Sequence, residues 1–356
     1  MNTSVTRTGG QRRRISVVAT IALGAMLLAA CGSSDTPQPA AGSNSTGAQG
    51  PLKAVTLTLN YLAGGPNSGF MLAKSLNYYK DAGLDVTIHE GQGSGSTASL
   101  VAQGNSDFGY SDAPAVMAVR AKGGTLKIIA PILQTNGFAI MSLKEKNISK
   151  VSDLKGKTLA VQPGTAQAAL LGAILAANSL TEADLKVVNV DPSALVGSLL
   201  QKKVDAIAAG ADAQGIQLAD QGATINSIMY RDSGVPSVGL SIIANDALLT
   251  SDPKTVKAFV DASLRGWEAA RKDPEAAAKA VADQFPQAGK APSFVKQLKV
   301  DMPLMCAASA TTLGTVPAKN WTTTYDLLTK YQGLPKTKPI EEYYTNDFLP
   351  KSAPAC

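Results

Sequence analysis

The chain has 356 residues, enough for one to three domains, and its 45% hydrophobic and 17% charged residues exclude wholesale disorder and a coiled coil. A single histidine, His89, excludes a metal site built from several histidines. The formal charge of +6 comes largely from four arginines in the first 31 residues, which hold no acid; the remainder has 29 basic and 27 acidic residues, which gives nucleic-acid binding little support.

Residues 1–30 have the pattern of a secretory leader. Basic residues end at Arg14, and the mainly apolar stretch Ile15–Leu28 that follows is short for a bilayer span of about 20 residues. It ends in Leu28-Ala29-Ala30-Cys31, which resembles a bacterial lipobox and implies cleavage before Cys31 and acylation of that cysteine, palmitate included. The alternative is an ordinary signal peptide with an incidental cysteine, and the general and twin-arginine export routes both stay open.

Residues 31–52 are expected to form a flexible tether. They are rich in Gly, Ser, Thr, Pro and Ala, contain no aromatic residue and carry one charge, Asp35, so they cannot bury a core. No later stretch is apolar for about 18 residues, so we expect no transmembrane helix. The leader and tether together predict a folded body held by a lipid at the extracytoplasmic face of the cell membrane.

The body alternates strand and helix patterns in two successive runs. In the first, strands are predicted at 54–60, 84–88, 108–110 and 126–133, with helices at 70–80, 96–101 and 114–121. In the second, strands are predicted at 157–161, 186–190 and 205–209, with helices at 167–177 and 193–202. The last third reads as helices beginning near 253, 274, 294 and 321. Two βαβαβ units predict an α/β fold with two lobes and mainly parallel sheets.

Four segments resemble one known family. They are Leu76-Asn77-Tyr78-Tyr79-Lys80-Asp81-Ala82-Gly83-Leu84-Asp85-Val86; Leu100-Val101-Ala102-Gln103-Gly104 with Asp107-Phe108-Gly109-Tyr110-Ser111; Asp153-Leu154-Lys155-Gly156-Lys157-Thr158; and Tyr343-Tyr344-Thr345-Asn346-Asp347-Phe348-Leu349. In this order, over about residues 53–349, they resemble ABC-importer substrate-binding proteins of the sulfonate/nitrate/thiamine-pyrimidine-precursor group, with the type II periplasmic-binding-protein fold.

The resemblance implies two lobes joined by two crossover strands. Lobe 1 would comprise 53–138 and 240–350, and lobe 2 would comprise 145–237, with a C-terminal tail at 351–356. The crossovers would be Phe138-Ala139-Ile140-Met141-Ser142-Leu143 and Val238-Gly239-Leu240-Ser241-Ile242-Ile243, both apolar runs of strand length. The resemblance also implies a permease with its ATPase as partner, and we expect a monomer.

Ligands of open α/β sheets bind beyond the carboxyl ends of the strands, and this rule selects polar loop residues in both lobes. Helices starting at Ser96 and Thr165 would offer unpaired N–H groups there. The candidate ligand-binding residues are Asn60, Tyr61, Ser94, Ser96, Ser111, Asp112, Gln134, Thr135, Gly164, Thr165 and Asp212. The alternatives are that the hydroxyl residues only cap helices, that the aspartates cap or form ion pairs, and that Tyr61 only packs.

Helix ends and hydroxyl groups favour a small organic anion, such as an aromatic carboxylate or a sulfonate, as the solute. A pyrimidine or other thiamine-related heterocycle is the alternative, and a sensor lipoprotein or an enzyme that reuses the fold comes after it. The sequence has no Walker loop, no G-x-S-x-G motif and no Cys/His cluster, so we expect no catalytic residue, cofactor or metal site.

Two cysteines remain in the body, Cys306 and Cys356. An even pair in an oxidising compartment predicts a disulfide that fastens the C-terminus to the body. Two separate thiols are the alternative.

Replacing Cys31 with Ser should move the protein from the membrane fraction to the soluble fraction, because the acylated sulfur would be lost. Cell fractionation and mass spectrometry of the N-terminal peptide check this. Membrane retention of the variant, with no lipid on the wild-type peptide, would contradict the lipid anchor.

Overall fold

A computed structural model of the protein describes residues 50–307, 311–336 and 338–356. The predicted leader, Cys31 and nearly all of the predicted tether lie outside the described residues. Within the described ranges, no helix is long and apolar enough to cross a membrane.

Ten strands form two sheets in the described part of the chain. They are β1 (Lys53–Thr58), β2 (Leu84–His89), β3 (Phe108–Asp112), β4 (Leu126–Pro131), β5 (Phe138–Leu143), β6 (Thr158–Val161), β7 (Lys186–Asn189), β8 (Ala206–Gly210), β9 (Ile225–Met229) and β10 (Leu240–Asn245). The first sheet has the order β2-β1-β3-β10-β4 and the second has the order β7-β6-β8-β5-β9.

One strand of each sheet runs against its neighbours. β1 pairs in parallel with β2 and β3, and β6 pairs in parallel with β7 and β8. β10 is antiparallel to β3 and β4, and β5 is antiparallel to β8 and β9. β5 coincides with the first expected crossover, and β10 begins two residues into the second and runs two residues beyond it. The predicted α/β architecture of two mainly parallel lobes is confirmed, and the sheets are mixed.

Thirteen α-helices accompany the strands in the described residues. They are α1 (Ser68–Ser75), α2 (Tyr78–Asp81), α3 (Ser94–Ala102), α4 (Ala113–Ala121), α5 (Ala166–Ala169), α6 (Leu171–Ala177), α7 (Leu195–Leu200), α8 (Gln214–Asp220), α9 (Asp246–Ser251), α10 (Pro253–Lys272), α11 (Pro274–Gln284), α12 (Ala291–Met305) and α13 (Ala318–Gln332). The four helices predicted in the last third, α10 to α13, begin where the sequence predicts or a few residues earlier, and three of them run further than predicted. α9 was not predicted.

The two sheets repeat one structural device. The side chain of Asp107 accepts hydrogen bonds from the backbone N–H and hydroxyl of Thr56 on β1, both at 2.8 Å. The side chain of Asp205 likewise accepts from the backbone N–H of Thr158 on β6 at 2.9 Å. An aspartate just before the third strand therefore ties the loop to the first strand in each lobe.

Helix α10 holds the largest core cluster together. Asp252 caps its first turn by accepting from the N–H of Thr255 at 3.0 Å, and Pro253 suits the first helical position. Its apolar face is buried against the first sheet, where Phe259 stacks on Phe108 with ring centroids 3.8 Å apart. Alternation along β3 places Tyr110 and Asp112 on the same face as Phe108, so the strand ends in a buried carboxylate.

The segments entering the two crossovers are joined side by side. Asn136, which is fully buried, donates from its side-chain nitrogen to the carbonyl of Val235 at 2.9 Å and contacts the hydroxyl of Ser237 at 3.0 Å. Its backbone N–H donates to the carbonyl of Ser237 at 2.9 Å. The chain thus passes between lobes at two places that are hydrogen-bonded to each other.

The two body cysteines are bonded in the structure. A disulfide joins Cys306, at the end of α12, to Cys356, with 5.5 Å between the Cα atoms and a sequence separation of 50. The backbone N–H of Cys356 also donates to the carbonyl of Thr311 at 2.9 Å, and the guanidinium group of Arg271 donates to the carbonyl of Cys356 at 3.0 Å. The C-terminus is therefore held on the body by several contacts.

Replacing both Cys306 and Cys356 with Ser should lower the free energy of unfolding by about 2–4 kcal/mol, because the unfolded chain loses a closed loop. Denaturant unfolding of the variant beside the oxidised wild type measures this, and peptide mapping without reductant should recover the linked pair. Two free thiols in exported protein would contradict the bond.

Candidate functional site

Polar side chains follow the strands of the first sheet at one edge. Asn60 and Tyr61 come after β1, and Asp112 ends β3. Ser94, at the start of α3, donates from its hydroxyl to Asp112 Oδ2 at 2.8 Å. Asn60 Oδ1 accepts from the side-chain nitrogen of Asn67 at 2.8 Å. These bonds fix the orientation of the polar groups before any ligand arrives.

The second sheet presents a similar edge. Thr165 caps α5 by accepting from the N–H of Ala168 at 3.3 Å, and its hydroxyl donates to the carbonyl of Gln162 at 2.8 Å. Asp212 follows β8, and the side-chain oxygen of Gln214 accepts from the N–H of Gly210 at 3.1 Å. The strand ends of both sheets therefore carry preset polar groups.

The two edges face one cleft. Residues after β1, β6 and β8 line it together with Phe294 and Gln297 from α12, and its enclosed space is about 100 Å³. The sequence-predicted residues in the lining are Asn60, Tyr61, Ser94, Asp112, Thr165 and Asp212. A concave site lined by aromatic and polar side chains is typical of small-molecule binding.

Five predicted residues do not line this cleft. Ser111 is buried and its hydroxyl donates back to the carbonyl of Ser94 at 2.9 Å. The side chain of Gln134 is also buried, with its nitrogen 3.8 Å from Cys356 Sγ. Thr135 is half-buried, and its carbonyl packs against Gly239. Ser96 is exposed beside Gly164, which is itself exposed at the rim.

Sequence reasoning missed the contribution of α12. Gln297 accepts from the N–H of Gly65 at 2.8 Å and lies in the lining, as does Phe294. These residues stand more than 200 positions after Asn60, and the helical spacing that predicts α12 does not tell which face meets the cleft. Phe138, at the start of the crossover β5, was predicted as part of a strand and not as a wall of the cleft.

The lobes touch at two rims of the cleft. On one rim, the N–H of Gly95 donates to the carbonyl of Gly164 at 2.9 Å, and the side-chain nitrogen of Gln162 donates to the carbonyl of Gln92 at 3.0 Å. Gly93 has φ +133°, and a Cβ there would lie 2.8 Å from the carbonyl oxygen of Gly164, so the approach requires glycine.

The other rim carries an ionic contact. The Lys296 ammonium group pairs with Asp220 of α8, whose second carboxylate oxygen accepts from the hydroxyl of Ser293 at 2.7 Å. Both partners are partly exposed, so this pair contributes little to stability and can open.

The charged side chains available in the cleft lining are acidic. Burial raises the pKa of Asp112 from 3.8 to about 7; repulsion by Asp212 acts in the same direction, and the hydrogen bond from Ser94 acts against it. Burial also raises the pKa of Asp212, although backbone N–H groups of Ala213 and Asp212 itself partly offset this. The lining residues, all within the described ranges, include neither Lys nor Arg.

Tyr61 is the aromatic residue of the first edge. Burial raises the pKa of its hydroxyl to about 12, and a hydrogen bond with Gln214 of the second lobe offsets part of this rise. Tyr61 therefore stays protonated at neutral pH and lies where both lobes reach a ligand.

Two lobes with paired mixed sheets and a cleft at the strand ends define the periplasmic-binding-protein fold. Solved structures support this: the alkanesulfonate-binding protein SsuA of Xanthomonas axonopodis pv. citri, bound to MOPS, has a TM-score of 0.67 and 18% identity, covering 83% of this chain and 99% of that protein. The nitrate-binding protein NrtA of Synechocystis PCC 6803 has a TM-score of 0.64 and 13% identity, covering 83% and 87%.

The chain belongs to the NMT1/THI5-like family, whose model matches residues 67–277. It is 24% identical over 338 residues to the riboflavin-binding protein RibY of Chloroflexus aurantiacus, covering 91% of this chain and 95% of that protein. It is 23% identical over 247 residues to the 4-amino-5-hydroxymethyl-2-methylpyrimidine phosphate synthase of Aspergillus parasiticus, covering 66% and 72%. The family named by the sequence resemblance is confirmed.

The free energy of unfolding should fall by about 2 kcal/mol between pH 5 and pH 8, because folded Asp112 keeps a proton that the unfolded chain releases near its ordinary pKa. This contribution is fully present below about pH 4 and is lost as the pH rises through about 7. Urea unfolding across this range measures the slope.

Asp112→Asn should flatten that slope, whereas Asp283→Asn, on the exposed face of α11, should leave it unchanged. Equal slopes in wild type and Asp112→Asn would contradict the raised pKa. Asp212 shifts in the same direction, so some slope should remain in Asp112→Asn.

Proposed function

We propose that the chain is the extracytoplasmic solute-binding subunit of an ABC importer, which captures a small organic solute between its lobes and delivers it to a membrane permease. The observation that carries the proposal is the cleft itself, where polar strand ends of both sheets face one space. Membership of a family with solute-binding relatives supports it.

The mechanism is closure without bond chemistry. A solute that touches Asn60 and Asp112 of one lobe and Thr165 and Asp212 of the other favours the closed arrangement, because it gains contacts that an open cleft does not offer. Contacts at the two rims, such as Gly95 with Gly164, form only when the lobes meet, so they would report loading to the permease.

Among solute classes, a nitrogen heterocycle is better supported than the organic anion that hydroxyl groups and helix ends suggest. An anion would meet two buried carboxyl groups in the lining, Asp112 and Asp212, and no cationic side chain among the lining residues. Heterocycles also occur in the names of two relatives, one riboflavin-binding and one a pyrimidine phosphate synthase.

An enzyme that reuses the fold is the second candidate, since the Aspergillus parasiticus relative is named as a synthase. His89 lies exposed at the end of β2, away from the cleft lining. A binding protein should return its bound molecule unchanged after denaturation, whereas an enzyme should release a product.

The remaining features complete the proposal. We place the protein on the extracytoplasmic face, anchored through Cys31, as a monomer that works with a permease and its ATPase. We assign lobe 1 to residues 53–138 and 240–350 and lobe 2 to residues 145–237.

Thr165→Trp should abolish solute capture while keeping the fold, because Thr165 lines the cleft but is only half-buried. The mature protein is incubated with a small-molecule extract of bacterial cells, desalted and denatured, and the released molecules are identified by mass spectrometry. Thr322→Trp, the same exchange at an exposed position of α13, is the matched control.

Wild type and Thr322→Trp should retain the same small molecule, and Thr165→Trp should retain none. That molecule should also make the wild type more compact in small-angle scattering. Retention by all three proteins, or no enrichment by the wild type, would contradict capture in this cleft.

A further inference from the structure

Three buried carboxyl groups from separate elements converge at the cleft. Asp112 ends β3, Asp212 follows β8, and Asp301 lies on α12; their exposed fractions are 4%, 9% and 1%. Burial raises the pKa of Asp301, and repulsion by Asp212 and Asp112 raises it further, so the three carboxyl groups are close enough to interact.

Asp301 has no cationic partner among the described residues. Its carboxyl oxygens are buried, and its carboxyl group lies within hydrogen-bond reach of that of Asp212, a contact that needs a proton on Asp301. A Cβ placed on Gly137, which lines the cleft, would lie 3.8 Å from Asp301 Oδ1, so this carboxyl group lies directly behind the cleft wall. The hydroxyl of Tyr110, on the same face of β3 as Asp112, is also buried without a partner.

Cationic side chains lie outside this region. Lys290 and Lys296 line an adjoining surface groove, and Lys296 is paired with Asp220. Arg231 donates to the carbonyl of Asn136 at 3.2 Å and contacts Asp232. Within the described residues, these three buried carboxyl groups have no cationic side chain paired with them, and burial therefore favours their protonated forms.

We propose that this carboxyl cluster of Asp112, Asp212 and Asp301 is the subsite for a positively charged nitrogen group, so that the solute is an organic cation such as an ammonium, an amidinium or an N-alkylated heterocycle. The inference rests on the proposed solute-binding function and names its solute class. A cation in the cleft stabilises the ionised form of these carboxyl groups. Because the site is poorly hydrated, the attraction between the cation and the carboxylates is stronger there than in water.

The rest of the lining suits the organic body of such a solute. Tyr61, Phe138 and Phe294 contribute aromatic surface, and the faces of aromatic rings attract cations. The carboxyl cluster does not form a metal-binding group in the described residues.

Two sets of molecules of matched shape and different charge test the inference. One set is benzamidinium, benzamide and benzoate; the other is 1-methylnicotinamide, nicotinamide and nicotinate. Each is titrated into the mature protein at pH 7.5 and constant ionic strength, with calorimetry for affinity and melting temperature as a second readout. In each set the cation should bind at least about tenfold more tightly than the neutral molecule, and the anion should bind weakest.

Asp301→Asn is the diagnostic variant, because it removes the charge and keeps the shape of the side chain. It should bind the cations about tenfold more weakly and the neutral molecules unchanged, because it can no longer ionise beside the cation. Asp283→Asn is the control for a general change in charge, and it should bind all six molecules as the wild type does.

The inference is overturned if no cation binds more tightly than its neutral partner, if an anion binds best, or if Asp301→Asn keeps the preference. These results separate it from the proposed function. A neutral or anionic solute captured by wild type and lost in Thr165→Trp would leave the importer subunit intact and remove only the cationic class.

Discussion

The two crossover strands set the geometry on which the rest of the molecule depends. β5 lies between β8 and β9, and β10 lies between β3 and β4, so each sheet receives its one antiparallel strand from the chain that links the lobes. This insertion turns the carboxyl ends of the parallel strands of both sheets toward one space. The cleft, its polar rim and the buried aspartates all follow from that arrangement.

The buried carboxyl groups beside the cleft cost stability, whereas the apolar packing around them contributes it. Phe108 and Tyr110 are buried in the first core, and the next residue on the same face of β3 is Asp112, which is nearly as buried but ionisable. Ser94 gives it one hydrogen bond, which offsets only part of the lost hydration. The folded protein therefore holds buried carboxyl groups at the candidate binding site although they cost stability at neutral pH. Strained or poorly satisfied groups at binding sites often have this effect.

The sequence predicts most of the fold, because alternation and helical spacing are local. The strand at 84–88 has every second residue buried, and β5 matches its predicted bounds. β9 was missed because Asn226 and Ser227 interrupt any apolar pattern. In the site, the strand-end rule places Asp112 and Asp212 in the lining, but it does not find Asp301 behind the wall, since nothing within α12 distinguishes its face toward the cleft from its other buried positions.

The hydrogen bonds of Asn136 with Val235 and Ser237 limit how the lobes can move. A single linking segment would leave rotations about three axes free. Two segments that are bonded side by side behave as one band, which bends across its width but resists twisting and sliding. We therefore expect the lobes to move mainly by bending about this band, so that an open cleft samples few orientations and loses little entropy when it closes.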